Sequence, residues 1–158
     1  MIGQIEFPAP AADLNANDLD VMARTIFGEA RGEQYLGQVA VAHVILNRAA
    51  AAARYMRKTG KAHKLFGNGR VASVCKVPLQ FSCWNTGDPT YEAVTAANLD
   101  QLALRRAHFV ALACAFGFEC DPTLGALHYH TLAVQPAWSR GRSPAAVIGG
   151  HKFFNDIP

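Results

Sequence analysis

Apolar residues return along this chain mostly at helical spacing, and the places where that spacing fails are where chemistry can sit. Leu19, Met22, Ala23 and Ile26 fall at i, i+3, i+4 and i+7, one face of a 3.6-residue repeat. Asn17 or Asp18 stands where the helix needs an N-cap. This pattern predicts a helix that stops at Gly28. A second helix is predicted from about residue 34 to 55, with Leu36, Val39, Ala40, His43 and Val44 on its apolar face and a helix-favouring AAAARY segment at its end. Between 54 and 70 the chain turns basic, and Gly60, Gly67 and Gly69 mark a loop. Helical spacing resumes from about 90 to 116, broken near Asn98 and Leu99 into a short helix and a longer one. Along the longer one Leu102, Arg105, Arg106, Phe109, Val110 and Ala113 repeat at three and four, and Gly117 ends it. Asp121-Pro122-Thr123-Leu124-Gly125 then makes a turn before ALHYHT, read as a short strand with His128 and His130 on one face and Tyr129 on the other. The fold class is therefore α+β and predominantly helical, with one small β element. Residues 1–16, with Pro8 and Pro10, read as an arm; residues 17–158 form a single domain.

The break after Ile26 puts Glu29 at the end of an apolar helix, between Phe27 and Ala30 on one hand and Arg31, Gly32 and Glu33 on the other. A carboxyl set against apolar surface loses water, which disfavours its charged form. That is the environment a general acid needs near neutral pH. The same residue also fits a plain solvated helix end, and local sequence leaves both readings open. His43, on the apolar face of the second helix, reads as a hydrogen-bonded core residue, and Asn47 and Arg48 as braces for neighbouring loops.

Composition narrows the picture. With 158 residues, 51% of them hydrophobic, the chain can bury one real core. A net charge of +3 suits an anionic wall polymer, nucleic acid or no charged partner in particular. Arg54, Arg57, Lys58, Lys61, Lys64 and Arg70 form the main positive patch, interleaved with Tyr55 and Phe66. No zinc-finger, RNA-recognition or helix-turn-helix pattern accompanies it, so no nucleic-acid partner is expected. No unbroken run of about 18 apolar residues is present, so no membrane span is expected. The acidic N-terminus lacks both parts of a secretory signal. The expectation is synthesis in the cytoplasm, with any action outside it reached by phage-type release or another export route.

Five blocks occur in order: IFGEARGE, GQVAVAHVILNR, QFSCWN, DPTLGALHYH and IGGHKFF. Together they resemble the SleB/CwlJ-type cell wall hydrolase family. The resemblance implies a lysozyme-like catalytic domain that cuts peptidoglycan glycan strands, and it makes Glu29, the first glutamate of GEARGE, the catalytic acid. A sugar cleft needs amides and hydroxyls for sugar hydroxyls and aromatic faces for the rings. Gln80, Ser82 and Asn85 offer the first; Phe81 and Trp84 offer the second, with Phe81 also a core candidate. The resemblance extends to Tyr129, His130 and His151 as cleft-wall residues, although spore-type members tend to carry tyrosines where this chain has His128 and His130. Trp138 either stacks on sugar or covers the core.

The expected reaction is cleavage of the MurNAc–GlcNAc β-1,4 bond by a monomer, without metal or other cofactor. Two-carboxylate glycosidases need a partner acid about 5 to 9.5 Å away. Glu33 is the only acid near Glu29 in sequence, and its better job is at the next helix's N-terminus. A lytic transglycosylase is therefore preferred to a hydrolase, as the resemblance implies for spore-type relatives. A rival reading is a zinc amidase or peptidase built on His128, His130 and His151; it lacks HExxH. A third, a wall-binding module, would leave Glu29 without a role. Cys75 and Cys83 flank the Gln-Phe-Ser element, and Cys114 and Cys120 flank AFGFE. A Cys75–Cys83 bridge could pin the substrate loop, or the thiols could simply pack.

Overall fold

The computed structural model describes residues 14–157, so most of the arm expected over residues 1–16 lies outside the described residues. The first helix, α1 (Ala16–Ala30), is capped by Asn15 rather than by Asn17 or Asp18. The Asn15 side chain accepts from the Asp18 amide at 2.8 Å, and the Asp18 carboxylate accepts from the Asn15 amide at 3.2 Å. This reciprocal cap satisfies two N–H groups that the helix start leaves orphaned. Asp18 also ties α1 to α3 (Val71–Lys76): Arg70 donates to it at 2.6 Å and the Ala72 amide at 3.0 Å. Burial pushes the Asp18 carboxyl up, but the bonds from Ala72, Asn15 and Arg70 outweigh burial and hold it below the usual carboxylate range.

Helix α1 does not stop at Gly28. It runs on to Ala30, so Gly28 and Glu29 lie in its last turn. Gly28 faces Cys83 and Val94. A Cβ there would stand 2.6 Å from Cys83 Cβ, 2.8 Å from Cys83 Sγ and 2.8 Å from Val94 Cγ2. Glycine is present for close approach, not to break the helix.

Helix α2 (Tyr35–Thr59) passes through the middle of the domain, with Val39, Ala40, Val41, Ala42, Val44 and Ile45 fully buried. It extends past the expected end at residue 55 and stops where Gly60, at φ 71°, takes the left-handed conformation and donates to Met56 O at 2.8 Å. Part of the expected basic loop is thus helix. By length and composition α2 is the one element among the described residues apolar enough to cross a membrane, although no unbroken apolar run occurs in it. With 67% of that stretch buried inside the domain, it serves as the core helix. His43 is buried with Nε2 3.0 Å from Glu119 O, as expected of a core histidine. Asn47 braces the Asp121–Ala126 turn, donating to Asp121 Oδ2 and Ala126 O at 2.9 and 3.1 Å.

Helices α4 (Tyr91–Ala96) and α5 (Leu102–Ala115) appear with the predicted interruption between them. The buried face of α5 differs from the expected one. Leu104, Ala107, Val110, Ala111 and Cys114 pack inward, whereas Leu102 and Phe109 are 52% and 63% exposed. The helix is apolar nearly all round, and its small residues are the ones that allow close approach to α1.

The β element holds three strands: β1 (His128–Thr131), β2 (Ala146–Ile148) and β3 (His151–Phe154), antiparallel in the order β1-β3-β2. Only β1 was legible as a strand. Pairing of Tyr129 with Phe153 and of Thr131 with His151 fixes the register. Phe153 packs with Ala40 and Val44 of α2, which seats the sheet against the helical body.

All four cysteines are free thiols, so the Cys75–Cys83 bridge does not form, nor does Cys114–Cys120. Cys75 and Cys83 are packing residues of the main core. Burial pushes the Cys75 thiol up to about 12 and raises Cys83 as well.

Candidate active site

The last turn of α1 delivers Glu29 to an open cleft of about 510 Å³ between the helical body and the sheet. Both carboxylate oxygens are held. Oε1 accepts from the Cys83 amide at 3.2 Å, and Oε2 accepts from the Tyr129 hydroxyl at 2.9 Å. The Cys83 amide is presented by the tight Ser82–Trp84 turn, which the missing side chain at Gly28 lets approach α1. Tyr129 comes from β1, on the sheet face turned toward Glu29. Burial drives its phenol well above its ordinary range, with the Glu29 charge adding to the effect. The phenol therefore keeps its proton and acts as a donor to Glu29.

Gln80 and Ser82 line the cleft, as expected, together with Asp88 and Thr90 on the same side. Tyr129 and His151 line it from one face of the sheet, and His130 borders it while its ring turns to the opposite face and stacks on Phe154. Neither of the two aromatics offered to sugar lines this cleft, and Phe81 takes the core place that was also open to it. Phe81 is 1% exposed and lies in the core, beneath the Arg48 guanidinium at 4.8 Å. Trp84 is half-buried against the core and donates its indole N–H to Thr25 Oγ1 at 2.9 Å. It is absent from the cleft wall because that bond turns the ring toward α1. Trp138 covers the far face of the sheet, edge-on to Phe154 and His130, each with ring centroids 5.3–5.5 Å away.

The three histidines of the zinc reading do not converge. Strand alternation and register place His128 and His130 on the Trp138 face, and His151, paired with Thr131, on the Tyr129 face. Among the described residues no three His, Cys, Asp or Glu side chains come together to hold a metal. Burial and then Arg48 depress His128 to about 4, so it is neutral at physiological pH.

Glu33 stands at the N-terminal end of α2, as expected, just before the cap residue Gln34 and with its carboxylate against Gly37 of the first turn, and it also has partners across the fold. Its carboxylate accepts from the Gly150 amide at 3.1 and 3.3 Å and lies 3.5 Å from His151 Nδ1, pinning the turn between β2 and β3. A Cβ at Gly149 would fall 1.9 Å from Glu33 Oε2, at a φ of 56°. Asp88, Thr90 and Arg48 are cleft residues that escaped sequence reasoning. Asp88, in a polar loop, gave no signal of its own. Arg48 was read only as a brace, a role it does fill by donating to Leu127 O at 2.7 Å.

A model of the family described as Cell Wall Hydrolase matches residues 32–154. The spore cortex-lytic enzyme of Bacillus subtilis is 34% identical over 139 residues, which is 87% of this chain and 37% of that protein. The spore cortex-lytic enzyme of Bacillus cereus is 64% identical over 36 residues, 23% of this chain and 14% of that protein. The chain thus spans well under half the length of these curated relatives. Among solved structures, the catalytic domain of the germination-specific lytic transglycosylase SleB from Bacillus anthracis aligns with a TM-score of 0.65 at 31% identity, covering 91% of this chain and 98% of that one. The catalytic domain of the Bacillus cereus SleB protein aligns at 0.67 and 29% identity, covering 98% and 100%. These likenesses make the fold lysozyme-like, and the family match over most of its length means that the chain belongs to the cell wall hydrolase family.

Proposed function

We propose that this protein is a lytic transglycosylase that cleaves the MurNAc–GlcNAc β-1,4 bond of peptidoglycan at the cell wall. The observation that carries the reading is Glu29, set in an open polar cleft with both oxygens anchored, one by a backbone amide and one by a phenol that stays protonated. Likeness to the Bacillus anthracis lytic transglycosylase supports the reaction type. Glu29 gives its proton to the glycosidic oxygen as the bond to the MurNAc anomeric carbon breaks through an oxocarbenium-like transition state. The same carboxylate then takes the proton of the MurNAc 6-hydroxyl as that oxygen attacks the anomeric carbon. The products are a shortened strand ending in a 1,6-anhydro ring and a strand with a new GlcNAc 4-hydroxyl. Gln80, Ser82 and Thr90 offer hydrogen bonds to sugar, and Tyr129 and Cys83 fix the angle of the acid.

Glu29→Gln tests the assignment. The amide keeps the shape, accepts from Cys83 through its oxygen and cannot donate the proton. Wall lysis should fall by about 10²- to 10⁴-fold with the fold intact. Lysis near the wild-type rate would refute the assignment. One observation favours a second reading, hydrolysis by water: Asp88 lines the same cleft. Its bonds from the Thr90 hydroxyl and amide hold it below the usual carboxylate range, so it is ionised and able to act as a base. Under that reading Asp88→Asn abolishes activity; under the preferred one it spares the anhydro product.

A further inference from the structure

Arg48 is 4% exposed, and a buried charge is costly unless something compensates it. Among the described residues it has no carboxylate ion pair. Nε is spent on Leu127 O, and Nη1 is buried with no hydrogen-bond partner. The guanidinium lies over two aromatic rings, Phe81 at 4.8 Å and Phe66 at 5.4 Å, which fix it in place. Phe81 in turn packs on the Tyr129 ring at 6.5 Å, and Tyr129 donates to Glu29. Arg48 and Glu29 line the same cleft. A brace for Leu127 alone would not require a full charge at such cost.

We infer that Arg48 is a positioning residue for proton transfer by Glu29: its immobilised charge stabilises the carboxylate that Glu29 becomes when its proton leaves. The inference rests on the reading of Glu29 as the acid. Burial works against the Arg48 charge, while the Glu29 carboxylate favours it. The other groups around Glu29 do not supply a fixed cation. Tyr129 from β1 and the Cys83 thiol are held neutral by burial. Asp88 from the loop is an anion that opposes Arg48. His130 and His151 stand at the sheet side of the cleft, and His151 is already beside the Glu33 carboxylate. Removing the Arg48 charge should therefore make Glu29 a weaker acid, in the direction expected when an opposite charge is taken away.

The test compares Arg48→Met, Arg48→Gln and Arg48→Lys with wild type. Gln keeps a donor for Leu127 without the charge, and Lys keeps the charge. One readout is the pH profile of kcat/KM on purified glycan strands. The other, free of substrate, is the ¹³C titration of the Glu29 carboxyl, identified by its loss in Glu29→Gln. In Met and Gln variants the alkaline limb and the carboxyl midpoint should both move up by about half a pH unit or more, with kcat falling and KM nearly constant. In Arg48→Lys both should stay within about 0.2 unit of wild type, with kcat partly restored. Folded neutral variants with an unmoved limb and midpoint would overturn the inference. So would failure of both neutral variants to fold while Arg48→Lys folds, which would assign the charge to stability alone. A wild-type protein that releases no glycan fragments would instead refute the proposed reaction, while the carboxyl titration would still report whether Arg48 acts on Glu29.

Discussion

Gly28→Ala separates two explanations of one residue by the sign of the effect. Gly28 lies inside α1 and is not at positive φ, so if helix propensity alone decided, alanine would be the better residue there, by about 1 kcal/mol. A methyl group there would, however, meet Cys83 Cβ at 2.6 Å, Cys83 Sγ at 2.8 Å and Val94 Cγ2 at 2.8 Å. All three are closer than packed carbon and sulfur atoms tolerate, and two belong to a residue whose backbone is held in a tight turn. Overpacking of this kind costs about 1–3 kcal/mol. Set against the propensity gain, the net destabilisation is up to about 2 kcal/mol. The functional effect should be larger than the thermal one. Cys83 must move away from α1, and its amide carries the bond to Glu29 Oε1. Urea denaturation measures the stability change, and turbidity loss of purified wall suspensions measures lysis. The expected result is a lowered midpoint, an unchanged slope and a fall in lysis of about tenfold or more. A more stable variant with wild-type lysis would refute the close-approach argument and leave helix propensity as the deciding term.

Two further outcomes follow from burial. His128 titrates near 4 in the folded protein because burial, then Arg48, penalise its cation, against an ordinary value of 6.5. The unfolded chain therefore binds the extra proton first, so stability should fall as pH drops from about 6.5 to 4, and His128→Gln should flatten that part of a plot of urea midpoint against pH; an unchanged slope would contradict the burial argument. On α5, Leu104→Ala should cost about 2–5 kcal/mol while Phe109→Ser stays within about 0.5 kcal/mol, and equal losses would show that the inward face has been misassigned.

How much of this was readable in advance depended on whether the deciding contact was local. The long periodic stretches gave α1, α2, α4 and α5, and alternation in ALHYHT correctly split Tyr129 from His128 and His130. The α5 face was misread because apolar residues surround that helix. Periodicity weighs the large Leu102 and Phe109 above Ala107 and Ala111, whereas close packing against α1 selects the small ones. Gly28 looked like a stop because glycine's poor propensity is visible locally and its contact with Cys83 is not. Strands β2 and β3, AVI and HKFF, carry no polar–apolar alternation that would set them apart as strands. At the site, Glu29, Gln80 and Ser82 were named from their blocks. Phe81 and Trp84 were offered to the cleft from residue type, Phe81 with the core as its alternative, but the core beneath Arg48 and the Thr25 hydroxyl claimed them. Asp88 and the charge role of Arg48 arise from tertiary contacts with no sequence spacing to announce them.

The central claim, that one glutamate serves first as acid and then as base, predicts a particular product. Purified peptidoglycan digested with the wild-type protein and analysed by mass spectrometry should yield muropeptides lighter by one water than their reducing counterparts, each ending in 1,6-anhydro-MurNAc, and Glu29→Gln should yield none. Reducing MurNAc ends lost on Asp88→Asn would instead show hydrolysis by a carboxylate pair, and free stem peptides with intact glycan would contradict glycan cleavage altogether.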